Sequence, residues 1–190
     1  MRTFITSLRA IFILTILTGV VYPALMIILS HFIFPQRANG SLITVNREIA
    51  GSELIAQKFQ SEKYFWSRPS SIDYNPLPSG ASNLGPTSRS LQKIAEQRKI
   101  IFTEKNFLSP NVALPTEMIF SSGSGIDPHI SPEAALLQVQ RVAFARGFDE
   151  VKVNKLRSTI QKTTEPLQFG FLGQPRINVL LLNIELDKIE

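Results

Sequence analysis

Only a few residues in this 190-residue chain have the types and spacing that chemistry requires. Asp127-Pro128-His129 brings a carboxylate within two residues of one of the two histidines, just ahead of a helix start. A metal site would need at least one more ligand supplied by the fold, and the local spacing provides none. A hydrogen-bonded pair shaping a turn is the alternative, and no metal ligand set is assigned. Ser122-Gly123-Ser124-Gly125 has a superficial likeness to a nucleophile elbow, but that motif needs Gly two residues before its serine, where Ser122 stands. A tight turn accounts for it better. His31 lies at the end of an apolar run, an interfacial position. No G-x-x-x-x-G-K-[ST] phosphate loop occurs, and no carboxylate pair stands out as an acid/base couple. With no cysteines, disulfides, thiolate metal sites and cysteine nucleophiles are excluded.

The elements that would position these residues begin with the apolar run itself. Ala10 to Ser30 carries no formal charge, and at the helical rise it spans roughly 31 Å, the thickness of a bilayer core. A cleaved signal peptide has a shorter apolar region and a small-residue cleavage site. Pro23 followed by Leu25, Met26, Ile27 and Ile28 offers no such site, which points to a retained anchor. Thr15, Thr18, Gly19, Tyr22 and Met26 fall on one face at helical spacing. Such a small, weakly polar stripe lets membrane helices approach closely, although Thr and Gly are also simply tolerated there. Arg2 and Arg9 on one side, against Arg37 and Arg47 on the other, favour a cytoplasmic N-terminus only slightly.

The organisation expected is a tail and anchor over 1–35 and one soluble domain over 36–190, an α+β fold without a βαβ rhythm. Net charge is +5, but Lys and Arg are scattered, with no stripe resembling a nucleic-acid footprint. Ser41–Ile49 and Leu54–Phe59 read as strands. Ser67–Ser90, crowded with Pro, Ser, Gly and Asn, reads as an ordered series of turns or as a linker. Ser88–Lys105 has helical spacing, and Val112–Phe120 reads as a strand broken by Pro115. A second turn-rich segment, Ser121–Ser131, precedes a helix with Ser131 as N-cap, Pro132 in its first turn and Gly147 as its stop. Asp149 opens another helix, and Arg176–Leu186 reads as a buried strand.

Longer strings carry more than pattern. They include Gly19, Tyr22 and Pro23 in the anchor, Asn39-Gly40-Ser41-Leu42, and Tyr64-Phe65-Trp66-Ser67-Arg68-Pro69-Ser70. Tyr74-Asn75-Pro76, Ser79 to Pro86 (SGASNLGP), Ser122 to Pro132 (SGSGIDPHISP), Gln140-Arg141-Val142-Ala143, Gly170-Phe171-Leu172-Gly173 and Asn178-Val179-Leu180 follow in order. In these the chain resembles the C subunit of the bacterial Kdp potassium-transporting P-type ATPase over nearly its whole length. It departs at Ala56, Ser67 and Ala81, where the family tends to have Gly, and at Gln174, where it tends to have Glu.

The resemblance implies a non-catalytic subunit that crosses the inner membrane once, with its N-terminus cytoplasmic and its domain periplasmic. The implied partners are a channel-like potassium-selective subunit, which handles the K+, and a P-type subunit that hydrolyses ATP. It also implies a chaperone-like effect that raises the ATP affinity of the hydrolysing subunit, with ATP the one ligand so suggested. On this reading Thr15, Thr18, Gly19, Tyr22 and Pro23 pack against a partner helix. Arg68, Asn75, Asn83, Gly85, Asp127 and His129 dock on a partner or hold tight turns. The other classes left open are an anchored hydrolase using Ser124 and His129, and an anchored ligand sensor.

Overall fold

In the computed structural model, which describes residues 1–189, Arg2–Ile33 form one continuous 32-residue helix, long and apolar enough to cross a membrane. It consists of α1 (Arg2–Ile16), a π turn (Leu17–Val21) and α2 (Tyr22–Ile33). Pro23 explains the wide turn. It has no N–H to offer one turn back and its ring crowds the carbonyl there, so the ladder loosens ahead of it. The Tyr22 N–H reaches Leu17 O, five residues back, which defines a π bulge. Thr18 Oγ donates to Leu14 O at 2.7 Å, satisfying its hydroxyl inside the helix.

The chain divides into two compact units, Met1–Ala50 and Gly51–Glu190. The helix gives way at Phe34 to a short α3 (Pro35–Ala38) and then a hairpin of β1 (Leu42–Val45) and β2 (Glu48–Ser52), whose strand β2 runs across the end of the first unit. This corrects the expected strand Ser41–Ile49. Asn46 and Arg47 have φ of 52° and 70°, the paired left-handed geometry of a type I′ hairpin turn, so the run folds back on itself. Leu54–Phe59 forms no strand; Ser52 Oγ instead accepts from the Leu54 N–H.

The second unit contains α4 (Arg89–Lys105), a 3-10 turn (Thr116–Met118), β3 (His129–Ile130), α5 (Pro132–Arg146), α6 (Glu150–Thr163), β4 (Ile177–Asn178) and α7 (Val179–Asp187). Its caps follow from sequence. Ser88, Ser131 and Asp149 accept from the N–H groups of Leu91, Ala134 and Lys152, and Gly147 closes α5 at φ 64°. β3 and β4 pair antiparallel, His129 opposite Asn178 and Ile130 opposite Ile177. Val139 and Val142 of α5, Leu156 and Ile160 of α6 and Leu182 and Leu186 of α7 pack with Phe65 and Ile177 in one core. Each such side chain contributes about 1.5–3 kcal/mol by leaving water.

Two further strand expectations fail. Val112–Phe120 holds the 3-10 turn that follows Pro115. Most of Arg176–Leu186 is helix α7, started by Asn178, whose side chain accepts from the Leu181 N–H. A short apolar run does not distinguish a buried strand from a buried helix. The fold is α+β: an apolar N-terminal helix, then a mainly helical unit with small sheets.

Candidate functional site

The two turn-rich segments, far apart in sequence, are built into each other. The Gly80 N–H donates to Ser124 O at 3.0 Å, and the Ala56 N–H to Ile126 O at 2.9 Å. Gly125, at φ 73°, lies so close that an added Cβ would fall 2.6 Å from Ile72 Cγ1 and 2.8 Å from Gly80 O. Across this seam Arg68 Nη1 donates to Asp127 Oδ2 at 2.8 Å. Asp127 Oδ1 accepts from the His129 N–H at 3.0 Å, and His129 Nδ1 stands 3.4 Å from the same oxygen. Tyr74 Oη donates to Arg68 O at 2.8 Å.

Burial raises the Asp127 pKa. The hydrogen bonds from the His129 ring and backbone, with the charge of Arg68, more than offset it, and the net direction is down. The ionised carboxylate therefore stabilises the fold. Because its folded pKa is depressed, that contribution is complete above the unfolded carboxyl's ordinary value of about 4 and is lost as pH falls through the folded value. Asp127→Asn is expected to cost about 1 kcal/mol near neutrality. The gap from the parent should close only in strongly acid solution, as pH-dependent urea unfolding would record. A gap that does not narrow on acidification would contradict the assignment.

The remaining candidates are placed individually. Asn75 Oδ1 accepts from the Leu77 N–H at 3.1 Å, an Asx turn. Asn83 is exposed at φ 52°, and Gly85 is exposed with open space around it. Thr15, Thr18, Gly19 and Tyr22 are exposed on the apolar helix, and Pro23 is half-buried. A Cβ at Gly19 would meet nothing within 4 Å. Ser124 Oγ accepts from the Ile126 N–H, and among the described residues no hydrogen bond joins it to His129.

A polar cluster that was not among the sequence expectations lies beside this seam. Arg141, 1% exposed, donates through Nε to Asn106 Oδ1 at 2.9 Å. Its Nη1 reaches Glu62 O and Tyr64 O at 2.6 and 2.9 Å, and its Nη2 reaches Gln138 Oε1 at 2.7 Å. The guanidinium lies 3.9 Å from the centroid of Trp66. Burial lowers its pKa to about 10, so it remains charged at neutral pH. Gln138 Oε1 also accepts from the Trp66 N–H at 2.7 Å, while Asn183 exchanges two bonds with the Phe65 backbone, at 2.8 and 3.0 Å. Side-chain amides thus take the place of a neighbouring strand for Phe65-Trp66. The signal was available: Gln138 and Arg141 sit three residues apart on the same helical face as buried Ala134, a polar interruption of an apolar stripe.

Beside Trp66 opens a groove of about 400 Å³, whose lining includes Phe59, Tyr74, Arg98, Phe102 and Lys105. Arg98 Nη1 is committed to Ile119 O and Ser121 Oγ, and Lys105 to Glu62.

Three of the strings that gave the resemblance, 64–70, 79–86 and 122–132, thus meet at this seam, and comparison with known proteins agrees. Residues 4–188 match the model of KdpC, described as K+-transporting ATPase, c chain. The chain belongs to the KdpC family. It is 43% identical to the potassium-transporting ATPase KdpC subunit of Leptospira interrogans, over 95% of this chain and 91% of that one. Against the KdpC subunit of Synechocystis it is 44% identical over 98% of both chains. Against that of Geotalea uraniireducens it is 46% identical over 93% of both. KdpC membership makes this chain a subunit of a potassium-transporting ATPase.

Proposed function

We propose that this chain is the non-catalytic, single-pass subunit that assembles and stabilises an ATP-driven potassium importer. Its partners are a channel-like potassium-selective subunit and a P-type subunit that hydrolyses ATP. The functional division falls at 1–35 for the anchor and 36–190 for the extracytoplasmic domain, with the N-terminus in the cytoplasm. The observation that carries this reading is the helix Arg2–Ile33 in a family match that runs from residue 4 to 188. A lone helix encloses no pore, so it acts by packing against partner helices.

The face with Thr15, Thr18, Gly19 and Tyr22 is the contact we assign, with open space at Gly19 for a neighbouring backbone. Gly19→Leu should leave the isolated chain as stable as its parent, because nothing in the chain meets the new side chain. Recovery of the two partners in mild-detergent co-purification should fall at least about fivefold, a loss near 1 kcal/mol. Normal recovery would remove Gly19 from the interface. Co-purification of the parent chain with neither partner would overturn the assembly role itself.

The effect on ATP affinity belongs to the same reading. An extracytoplasmic domain has no access to cytoplasmic ATP, so we assign the effect to coupling through the helix, not to nucleotide held in the groove beside Trp66. Titration of the purified full-length chain with ATP should give no saturable heat. A stoichiometric ATP site would reverse either the topology or the coupling.

A further inference from the structure

Pro23 takes a hydrogen bond away from the apolar helix, and the π turn before it does not give it back. In an α-helix Thr18 O would accept from the N–H of residue 22. Here the Tyr22 N–H goes to Leu17 O instead. A donor five residues on would have to come from Pro23, and proline has no N–H. Thr18 O is therefore left without either ladder partner, within a helix that runs from Arg2 to Ile33. Gly19 O loses its four-residue donor to the same proline.

The position gives this omission its meaning. Thr18 lies two residues from the middle of the uncharged run Ala10–Ser30, about 3 Å along the axis from it. On the membrane-spanning reading this is the dry centre of the bilayer, where an unsatisfied backbone group is strongly penalised. Freed carbonyls in membrane helices are met by a local hydroxyl, a readjusted ladder, water or a neighbouring helix. The nearby hydroxyls are spent. Thr18 Oγ donates upstream to Leu14 O at 2.7 Å, and Ser30 Oγ to Ile27 O at 2.9 Å. The readjusted ladder is the π turn itself, which creates the orphan, and water is excluded at this depth. A neighbouring helix remains, and the chain is a subunit of a larger ATPase.

The local geometry lets such a helix in. A helical carbonyl points along the axis toward the residue four positions on, so Thr18 O lies between Thr18 and Tyr22, on the face that also holds Gly19. A Cβ built at Gly19 would meet nothing within 4 Å, so another backbone can come close. Thr18, Gly19 and Tyr22 are all exposed. The donor is uncharged, because a carbonyl has no charge to balance a Lys or Arg carried to the bilayer centre.

We propose that Thr18 O is a hydrogen-bond socket for a transmembrane helix of a partner subunit, filled by the O–H or N–H of a Ser, Thr, Asn or Gln side chain at that depth. This rests on the helix-packing reading above and adds the chemistry the partner must present. Pro23 serves assembly by keeping an acceptor open.

Thr18-Gly19 is the only Thr-Gly step in the chain. Full-length protein labelled with carbon-13 at threonine carbonyls and nitrogen-15 in glycine therefore gives a single carbonyl signal when filtered through the bonded nitrogen. Solid-state NMR would record it for the chain alone in lipid and for the reconstituted complex. Carbonyl carbons move downfield on accepting a hydrogen bond, so a downfield shift on assembly is expected. Pro23→Ala restores the missing N–H, and the ladder can close. Its signal should lie downfield already in the chain alone and move no further on assembly. Partner recovery should fall about threefold, the equivalent of the ~0.6 kcal/mol typical of such interhelical bonds. A parent chain that brings down neither partner removes the packing reading and the socket together. Assembly with an unchanged signal, or full recovery with Pro23→Ala, removes the socket alone. A signal already downfield for the parent in lipid alone would mean that the carbonyl finds its donor without a partner. A signal that moves with chain concentration alone assigns the socket to a second copy of this chain instead.

Discussion

Arg141→Met should lower the unfolding free energy by about 3–5 kcal/mol, the range for removing one member of a buried charged network. The substitution keeps most of the volume, so loss of packing is not the main term. Its cost comes from the groups left behind: Asn106 Oδ1, Gln138 Oε1, Glu62 O and Tyr64 O all lose a donor in the interior. A buried polar atom without a partner costs about 1–3 kcal/mol, and partial rearrangement of Gln138 keeps the sum below the additive limit. Arg141→Lys retains the charge but not the fork that serves three directions at once, so it should fall between Met and the parent. Trp66 is the only tryptophan and lies against the guanidinium, so its fluorescence reports on this site during urea unfolding. A change under about 1 kcal/mol for Arg141→Met would mean that the cluster is better hydrated than its 1% exposure implies.

Gly125→Val should be the second most damaging single change, at about 2–4 kcal/mol. Two costs add. A β-branched residue at φ 73° is strained by about 1–3 kcal/mol, and its Cβ would meet Ile72 and the Gly80 carbonyl well inside contact distance. The carbonyl is backbone and cannot swing aside, so the seam must open. Gly123→Ala, two residues away with nothing near its Cβ, should change stability by less than about 0.5 kcal/mol. A matching loss at both positions would place the cost in general loop entropy instead of the seam. The pair also separates two routes to a failed pump. Gly125→Val should reduce complex recovery only in proportion to unfolding, whereas Gly19→Leu should reduce it with folding intact.

Helix starts were legible because capping is local. Ser88, Ser131 and Asp149 each sit where a side-chain oxygen can take the third N–H onward, and Pro132 and Gly147 frame α5. The failures were also local, but ambiguous. Asn46-Arg47 lacks the Gly that usually announces a type I′ turn, so Ser41–Ile49 looked like one strand. Asn178 is a cap within a run of Ile, Val and Leu that suits a strand equally well. For the site, residue types could be read but not their meetings. Arg68 and Asp127 are 59 positions apart, and only the folded seam shows that one neutralises the other. Burial of Arg141 was not legible because its partners are backbone carbonyls and side-chain amides far away in the sequence, not a nearby carboxylate.

The amides that hold Phe65-Trp66 have a bearing on time as well as energy. The bond from the Phe65 N–H to Asn183 closes a separation of 118 residues, and that from Trp66 to Gln138 one of 72. At ribosomal speeds of roughly 5–20 residues per second, Phe65 emerges on the order of ten seconds before the side chain that completes its pairing. Throughout that interval an aromatic segment is exposed with its backbone paired only to water, and helices α5 and α6 can form but cannot seal the core. The core of the nascent domain therefore closes only once α7 has been made.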